Sequence, residues 1–336
     1  GFDVKGLRKD QYRVGIVINQ TVYDGGLISG QKSVARLEGE VQTAQTTTNL
    51  YAIRQRVNDL YFGILLLEEK IRLNKDLQTL LQSNLDKLHS MLSNGIAMQS
   101  DVNTVMAEKL KAEQQATELA SSRKSLLDML AVFIGKSITN LTIPQDVMVQ
   151  TMENNRPELR LFDTQIELAN AQERLLNARL LPKLSVFAQG YYGYPGYDMF
   201  DAMFNRDWKL NGMIGVRLSW NIGALYTRKN DHAKLNTHRG LVESARETFL
   251  FNNHLTEIQQ SDGIAKYRQM IKDDQEIVAL RSDVRRSAES RLEHGIIDTN
   301  NLLQEITREN QSRIDLSTHT ILMLKESYDL KYTTNN

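Results

Sequence analysis

The side chains that could do chemistry in this 336-residue chain are six histidines, 41 aspartates and glutamates, and one glycine-rich aromatic run. His89, His232, His238, His254, His294 and His319 lie in polar stretches of helical character, without the paired spacing that a metal site needs. The run Gly190-Tyr191-Tyr192-Gly193-Tyr194-Pro195-Gly196 lacks the Lys-Ser/Thr of a phosphate loop. Asn140-Leu141-Thr142 is a glycosylation sequon of chance frequency. The acidic residues are spread along helical faces, where solvation explains them. There is no cysteine, which removes disulfides, thiolate metal sites and a thiol nucleophile. No nucleophile, base and oxyanion-donor set emerges, so the reading is that the chain is not an enzyme and carries no cofactor or metal.

Bulk properties point the same way. The 41 basic side chains balance the 41 acidic ones, giving no electrostatic reason to expect nucleic acid as a partner. No window approaches the roughly 18 apolar residues of a spanning helix. No signal peptide is visible at Gly1, so an exported protein would be present in mature or trimmed form.

The elements that must position any site are unusually long. All four prolines, Pro144, Pro157, Pro182 and Pro195, fall between Ile143 and Gly196, leaving 25–140 and 225–335 free to be helical throughout. Leu50, Ile53, Val57, Leu60, Ile64, Leu67 and Ile71 step by three and four, the seam of a coiled coil, and Ile277, Leu280, Val284, Ala288 and Leu292 continue the logic. Helices are expected at about 29–92, 98–136, 157–180, 225–292 and 298–331. The two longest would each reach roughly 95–100 Å at 1.5 Å per residue.

The chain also nearly repeats itself. Val14-Gly15-Ile16-Val17-Ile18 returns two hundred positions later as Ile214-Gly215-Val216-Arg217-Leu218, and Leu92-Ser93-Asn94-Gly95-Ile96 as Leu292-Glu293-His294-Gly295-Ile296. Two tandem modules are therefore expected, 1–143 and 144–336, each a long antiparallel helical hairpin turning at its glycine. Strands are expected at about 12–22, 184–194 and 210–220, where apolar and polar residues alternate. Ten-residue strands with one apolar face suit a transmembrane β-barrel, while three short strands taken alone favour a soluble hairpin packed on helices. In the first case Arg13 and Arg217, on the polar face, look into water inside the barrel. The aromatic stretch 195–209 reads as an exposed loop with residues at a membrane interface.

The order of these elements, with Leu180-Leu181-Pro182-Lys183-Leu184 entering a strand, resembles the TolC family of outer-membrane efflux proteins. Asn19-Gln20-Thr21-Val22-Tyr23-Asp24-Gly25-Gly26 is similar to that family's strand-to-helix turn, with Ser219-Trp220-Asn221-Ile222-Gly223-Ala224 a poorer second copy. Arg156-Pro157-Glu158-Leu159 resembles the usual opening of its second repeat.

The resemblance implies a mostly α fold with a small β part: tandem coiled-coil hairpins, and strands contributed to a trimeric barrel in the outer membrane of a Gram-negative bacterium, with a periplasmic tunnel below. It implies a passive exit duct for small molecules or proteins, serving an adaptor protein and an inner-membrane transporter and gated at its periplasmic tip. By the internal repeat, a helix and strand equivalent to 157–194 are expected before residue 12, so the expectation is that this chain lacks the N-terminal helix and first strand.

The same likeness nominates site residues. Gly95, Asp101, Gly295 and Asp298 would form the tip that meets the adaptor, although each glycine taken singly reads as a helix cap and capping of the following helix is the ordinary role for Asp101 and Asp298. The family's acidic rings sit six and nine residues beyond the second glycine, positions held here by Asn301 and Gln304, which puts cation selectivity from those rings in doubt. Val14, Ile16, Ile18, Ile214, Val216, Leu218 and Trp220 would face lipid. The competing expectation is a soluble periplasmic coiled-coil adaptor or scaffold.

Overall fold

A computed structural model describes residues 7, 9–146 and 154–335. The expected outer limits of the two modules, Gly1 and Asn336, lie outside them. The elements run β1 (Tyr12–Tyr23), α1 (Leu27–Ser93), α2 (Gln99–Ile134), α3 (Pro157–Arg179), β2 (Lys183–Tyr194), α4 (Met199–Phe204), β3 (Lys209–Ser219), α5 (Ala224–Glu293) and α6 (Thr299–Thr334). Absence of proline lets α1 and α5 run unbroken for 67 and 70 residues. Pro157 opens α3 at the position where a missing N–H costs nothing. The chain divides into two units, Gly1–Thr46 with Glu158–Glu247, and Thr47–Pro157 with Thr248–Asn336.

In the first unit the three strands form one antiparallel sheet in the order β1-β2-β3. Its roots are fixed by α3 and the turn after it. Asp24 accepts the backbone N–H groups of Gly26 (2.9 Å) and Ile28 (2.7 Å), closing the strand-to-helix turn into α1. Gly25, at φ +68°, sits so close to Leu181 that a β-carbon would lie 2.6 Å from the leucine Cβ. At the foot of β3 the Trp220 indole donates to the Leu180 carbonyl at 2.9 Å. Both strand-to-helix turns therefore lean on the same short segment after α3.

The second unit holds the rest of α1 and α5 with α2 and α6. Its largest apolar cluster gathers Leu81, Leu85 and Leu88 of α1, Val105 of α2, and Leu302 and Ile306 of α6. Smaller clusters lie farther along, one joining Phe62 and Leu65 to Ile321 and Leu324, another joining Ile64 to Leu127 and Leu130. Each such side chain contributes about 1.5–3 kcal/mol by leaving water.

The seam read from the sequence is only partly used inside one chain. Ile64 is fully buried, yet Leu50 is 62% exposed. Ala288 and Leu292 are buried, whereas Ile277, Leu280 and Val284 remain exposed. A three-and-four spacing requires an apolar neighbour but does not say which molecule supplies it.

Candidate functional site

The residues singled out in the sequence fall on two surfaces, the sheet and the two helical turns. In the sheet, register fixes which side chains share a face. Val14 pairs with Tyr192, which pairs with Leu210; Ile18 pairs with Ala188, which pairs with Ile214; Val186 pairs with Val216 and Leu184 with Leu218. All of these lie on one face. Val14, Ile16, Ile18, Ile214, Val216 and Leu218 are each more than 60% exposed, and Trp220 just beyond them is 55% exposed.

The opposite face is mostly polar, with Val17, Phe187 and Met213 among its polar positions. Asn19, Thr21, Ser185, Gln189, Asn211 and Arg217 occupy the alternate register positions. Arg13 lies over the Tyr191 ring at 5.1 Å and Arg217 over Phe187 at 5.2 Å, so both guanidinium stems are braced against aromatic faces. The outer edges of β1 and β3 are unpaired within the sheet. An apolar face of this size in water, with two open edges, leaves much hydrophobic area and backbone hydrogen bonding unsatisfied.

The helical turns are near copies. Gly95 (φ +74°) and Gly295 (φ +67°) adopt the left-handed conformation. The Gly95 N–H reaches the Leu92 carbonyl at 3.0 Å and the Ile96 N–H reaches Met91 at 2.9 Å. The Gly295 N–H reaches Leu292 and the Ile296 N–H reaches Arg291, both at 2.9 Å. These are two Schellman motifs, each followed by an exposed isoleucine, Ile96 and Ile296.

The helices that follow begin differently. Asp101 reaches back to accept the Met98 N–H at 2.9 Å, while Asp298 reaches forward to accept the Asn301 N–H at 2.8 Å. Both acids are thus engaged in capping. Asn301 and Gln304 are exposed on the first turns of α6. Between the turns Lys87 of α1 and Glu293 of α5 pair at 2.6 Å, which holds the Glu293 carboxyl below its usual range. Both partners are about half exposed, so the pair adds little stability.

Sequence reasoning missed a buried ionic group on α5 and α6. Glu309, whose side chain is 4% exposed, accepts from Arg285 and from Arg313 at 2.7 and 3.0 Å, while Arg285 also meets Glu289 at 2.6 Å. Burial by itself would raise the Glu309 carboxyl, but the hydrogen bonds from Arg313 and Arg285 outweigh it and the net direction is down. The only sequence signal was Arg and Glu at a spacing of four, common on solvated helices.

No helix among the described residues is long and apolar enough to cross a membrane. No group of three or more potential metal ligands occurs among them.

No family model matches the sequence, and no curated protein does. Solved structures do match. The outer membrane protein VceC from Vibrio cholerae superposes with a TM-score of 0.74 at 12% identity, over 99% of this chain and 88% of that one. The open-state MtrE outer membrane channel of Neisseria gonorrhoeae gives 0.72 at 12% identity, over 99% and 80%. CusC, described in terms of folding and transmembrane channel formation, gives 0.72 at 12% identity, over 96% and 76%. At such low identity the likeness is one of architecture, and in architecture the chain has the TolC-like fold of these outer-membrane proteins.

Proposed function

We propose that this protein is a passive duct through the bacterial outer membrane, built from three copies of the chain and extending into the periplasm. The observation that carries the reading is the sheet with one exposed apolar face, one polar face and two open edges. In lipid such edges are tolerable only if strands of other copies close the sheet into a barrel. The apolar face then meets hydrocarbon and the polar face, with Arg13 and Arg217, meets water.

The exposed stripe Ile277, Leu280 and Val284 on α5 supports the same reading, because neighbouring copies would cover it. The fold shared with VceC, MtrE and CusC adds support. In this reading the turns at Gly95 and Gly295 form the periplasmic tip. Ile96 and Ile296 offer apolar contacts to an adaptor protein, which couples the duct to an inner-membrane transporter. Opening of the tip, by helices changing packing partners, controls passage, and no bond chemistry occurs in the duct.

The test is electrical and biochemical together. Protein extracted by detergent from outer membranes should run as a trimer and give discrete conductance steps in a planar bilayer. A monomeric species recovered without detergent, with no conductance, would defeat the proposal and favour a soluble scaffold.

A further inference from the structure

By the internal repeat Gly63 of α1 corresponds to Gly263 of α5, and Leu126 of α2 to Glu326 of α6, each two hundred positions on. In the fold these same residues touch. A β-carbon built on Gly63 would lie 3.2 Å from Leu126 Cδ1. One built on Gly263 would lie 3.4 Å from the Glu326 carboxyl carbon and 3.6 Å from its Cγ. In each hairpin a glycine leaves a notch in one helix, and the facing helix lays one side chain into it. In the first hairpin that side chain is apolar; in the second it ends in a carboxyl.

Glu326 is half-buried, and no hydrogen bond or ion pair among the described residues reaches its carboxylate. The nearby cations are committed elsewhere. On α6 itself, Lys325 bridges Asp59 of α1 at 2.8 Å and Asp329 at 2.6 Å. On α5, the Lys266 ammonium lies over the Tyr267 ring at 4.2 Å. Asp329, one turn along α6 from Glu326, is a buried acid that also accepts from Gln55 of α1 at 3.1 Å. Burial raises the Glu326 carboxyl above the ordinary value of a glutamate, and the Asp329 carboxylate raises it further. Lys325 and Lys266 pull it back only in part.

A neutral carboxyl and an ionised one fit this notch differently. Protonated, the side chain is close in shape to the leucine at the equivalent place in the first hairpin, and it lies against the α5 backbone without needing a counter-ion. Ionised, it is a charge held half out of water with a second carboxylate one turn away, so it is better solvated when turned outward. Turning outward empties the notch and removes the contact between α5 and α6 at that level.

We propose that Glu326 in the Gly263 notch is a proton-responsive joint of the α5–α6 hairpin, closed while the carboxyl is neutral and loosened when it ionises. Leu126 at Gly63 has nothing to titrate, so at this level acidity acts on one hairpin of the pair and not on the other. The joint lies within a single chain and does not rest on the duct reading. In a duct it makes the packing of the hairpin that ends at Gly295 sensitive to the acidity around it. Because the folded value is the higher one, the stabilisation is fully present below the unfolded value near pH 4.5 and is lost as pH rises through the folded value.

The experiment is amide hydrogen exchange on the full chain, comparing the parent with Glu326→Gln and Glu326→Leu at matched pH, so that the intrinsic pH dependence of exchange cancels. At about pH 7, exchange in 260–267 and 323–330 should be severalfold faster in the parent than in either variant, and the difference should narrow toward the ordinary glutamate range. Denaturant midpoints should follow, the parent falling behind Glu326→Gln only as pH rises. Equal exchange in the parent and the Gln variant at every pH overturns the proposal, as does a difference that ignores pH or spreads along all the helices. Neither readout involves conductance, so its failure is distinct from failure of the duct reading.

Discussion

The Tyr51 hydroxyl donates to the carbonyl of Tyr332 at 2.6 Å while their rings stack with centroids 4.9 Å apart. Arg156, in the segment just before α3, closes this pair. Its guanidinium lies over Tyr51 at 4.8 Å, Tyr332 at 4.6 Å and Phe249 at 5.6 Å, and donates to the Tyr332 carbonyl at 3.2 Å. Three helices are thereby tied at one point, α1 by Tyr51, α5 by Phe249 and α6 by Tyr332. Lysine offers no planar surface to stack, so Arg156→Lys should cost about 1–2 kcal/mol and Arg156→Ala about 2–4 kcal/mol, read from denaturant midpoints.

Glu309 should behave as a buried charge whose partners depend on it. Glu309→Gln leaves Arg285 and Arg313 without their anion, and a loss of about 3–5 kcal/mol is expected. Its carboxyl is held below the usual range in the fold, so its stabilisation is present above the unfolded value and is lost as pH falls through the folded value. Thermal unfolding of the parent should therefore weaken progressively below about pH 4–5, and the Gln variant should show a flatter acid limb. Superimposable acid limbs would exclude Glu309 as the source.

At the helical turns the prediction separates backbone conformation from space. Apart from the adjoining residues, no atom lies within 4 Å of a β-carbon built on Gly95 or Gly295, yet both glycines have positive φ. Replacement by alanine should cost about 1 kcal/mol each from backbone strain alone, and asparagine should cost less. Equal costs for the two residues at either site would show that conformation is not the cause.

Asp298 should matter to stability and not to ion preference, because its carboxylate is committed to the Asn301 N–H. Asp298→Ala should cost about 1 kcal/mol, with Asp298→Asn retaining most of the cap. Asn301→Asp and Gln304→Asp, on exposed positions, should instead raise cation over anion permeability in reversal-potential measurements.

On the sheet, the two faces should respond oppositely to charge. Ile16→Arg or Val216→Arg places a cation on the apolar face and should lose about 2–4 kcal/mol of membrane insertion near the bilayer centre, visible as a smaller outer-membrane fraction. Asn19→Arg, on the polar face, should insert as the parent does.

The fold was legible in the sequence because its signals are local. Alternation around Val14, Val186 and Val216 needs only neighbouring residues, and proline-free stretches with a three-and-four seam announce long helices wherever they pack. What the sequence did not show depends on distant partners. The six-residue α4 rests on Tyr194 and Lys209, residues outside it. Glu309 looks like any solvated helix acid until Arg285 is seen to reach it from another helix. The stripe at Ile277, Leu280 and Val284 was legible as apolar but not as uncovered in a single chain, since periodicity carries no information about copy number.

Helices α2 and α6 begin with the same need met from opposite ends, by Asp101 three residues inside one start and by Asp298 at the threshold of the other. What these two helix starts share is an obligation on exposed amides rather than a particular letter in the sequence. Residue-by-residue alignment of the halves would score Met98 against Asp298 and Asp101 against Asn301 as decay, when each exchange leaves the helix start supplied with one carboxylate. The same backbone requirement is thus compatible with different surface chemistry at the two starts, an equivalence that letter-by-letter comparison undercounts.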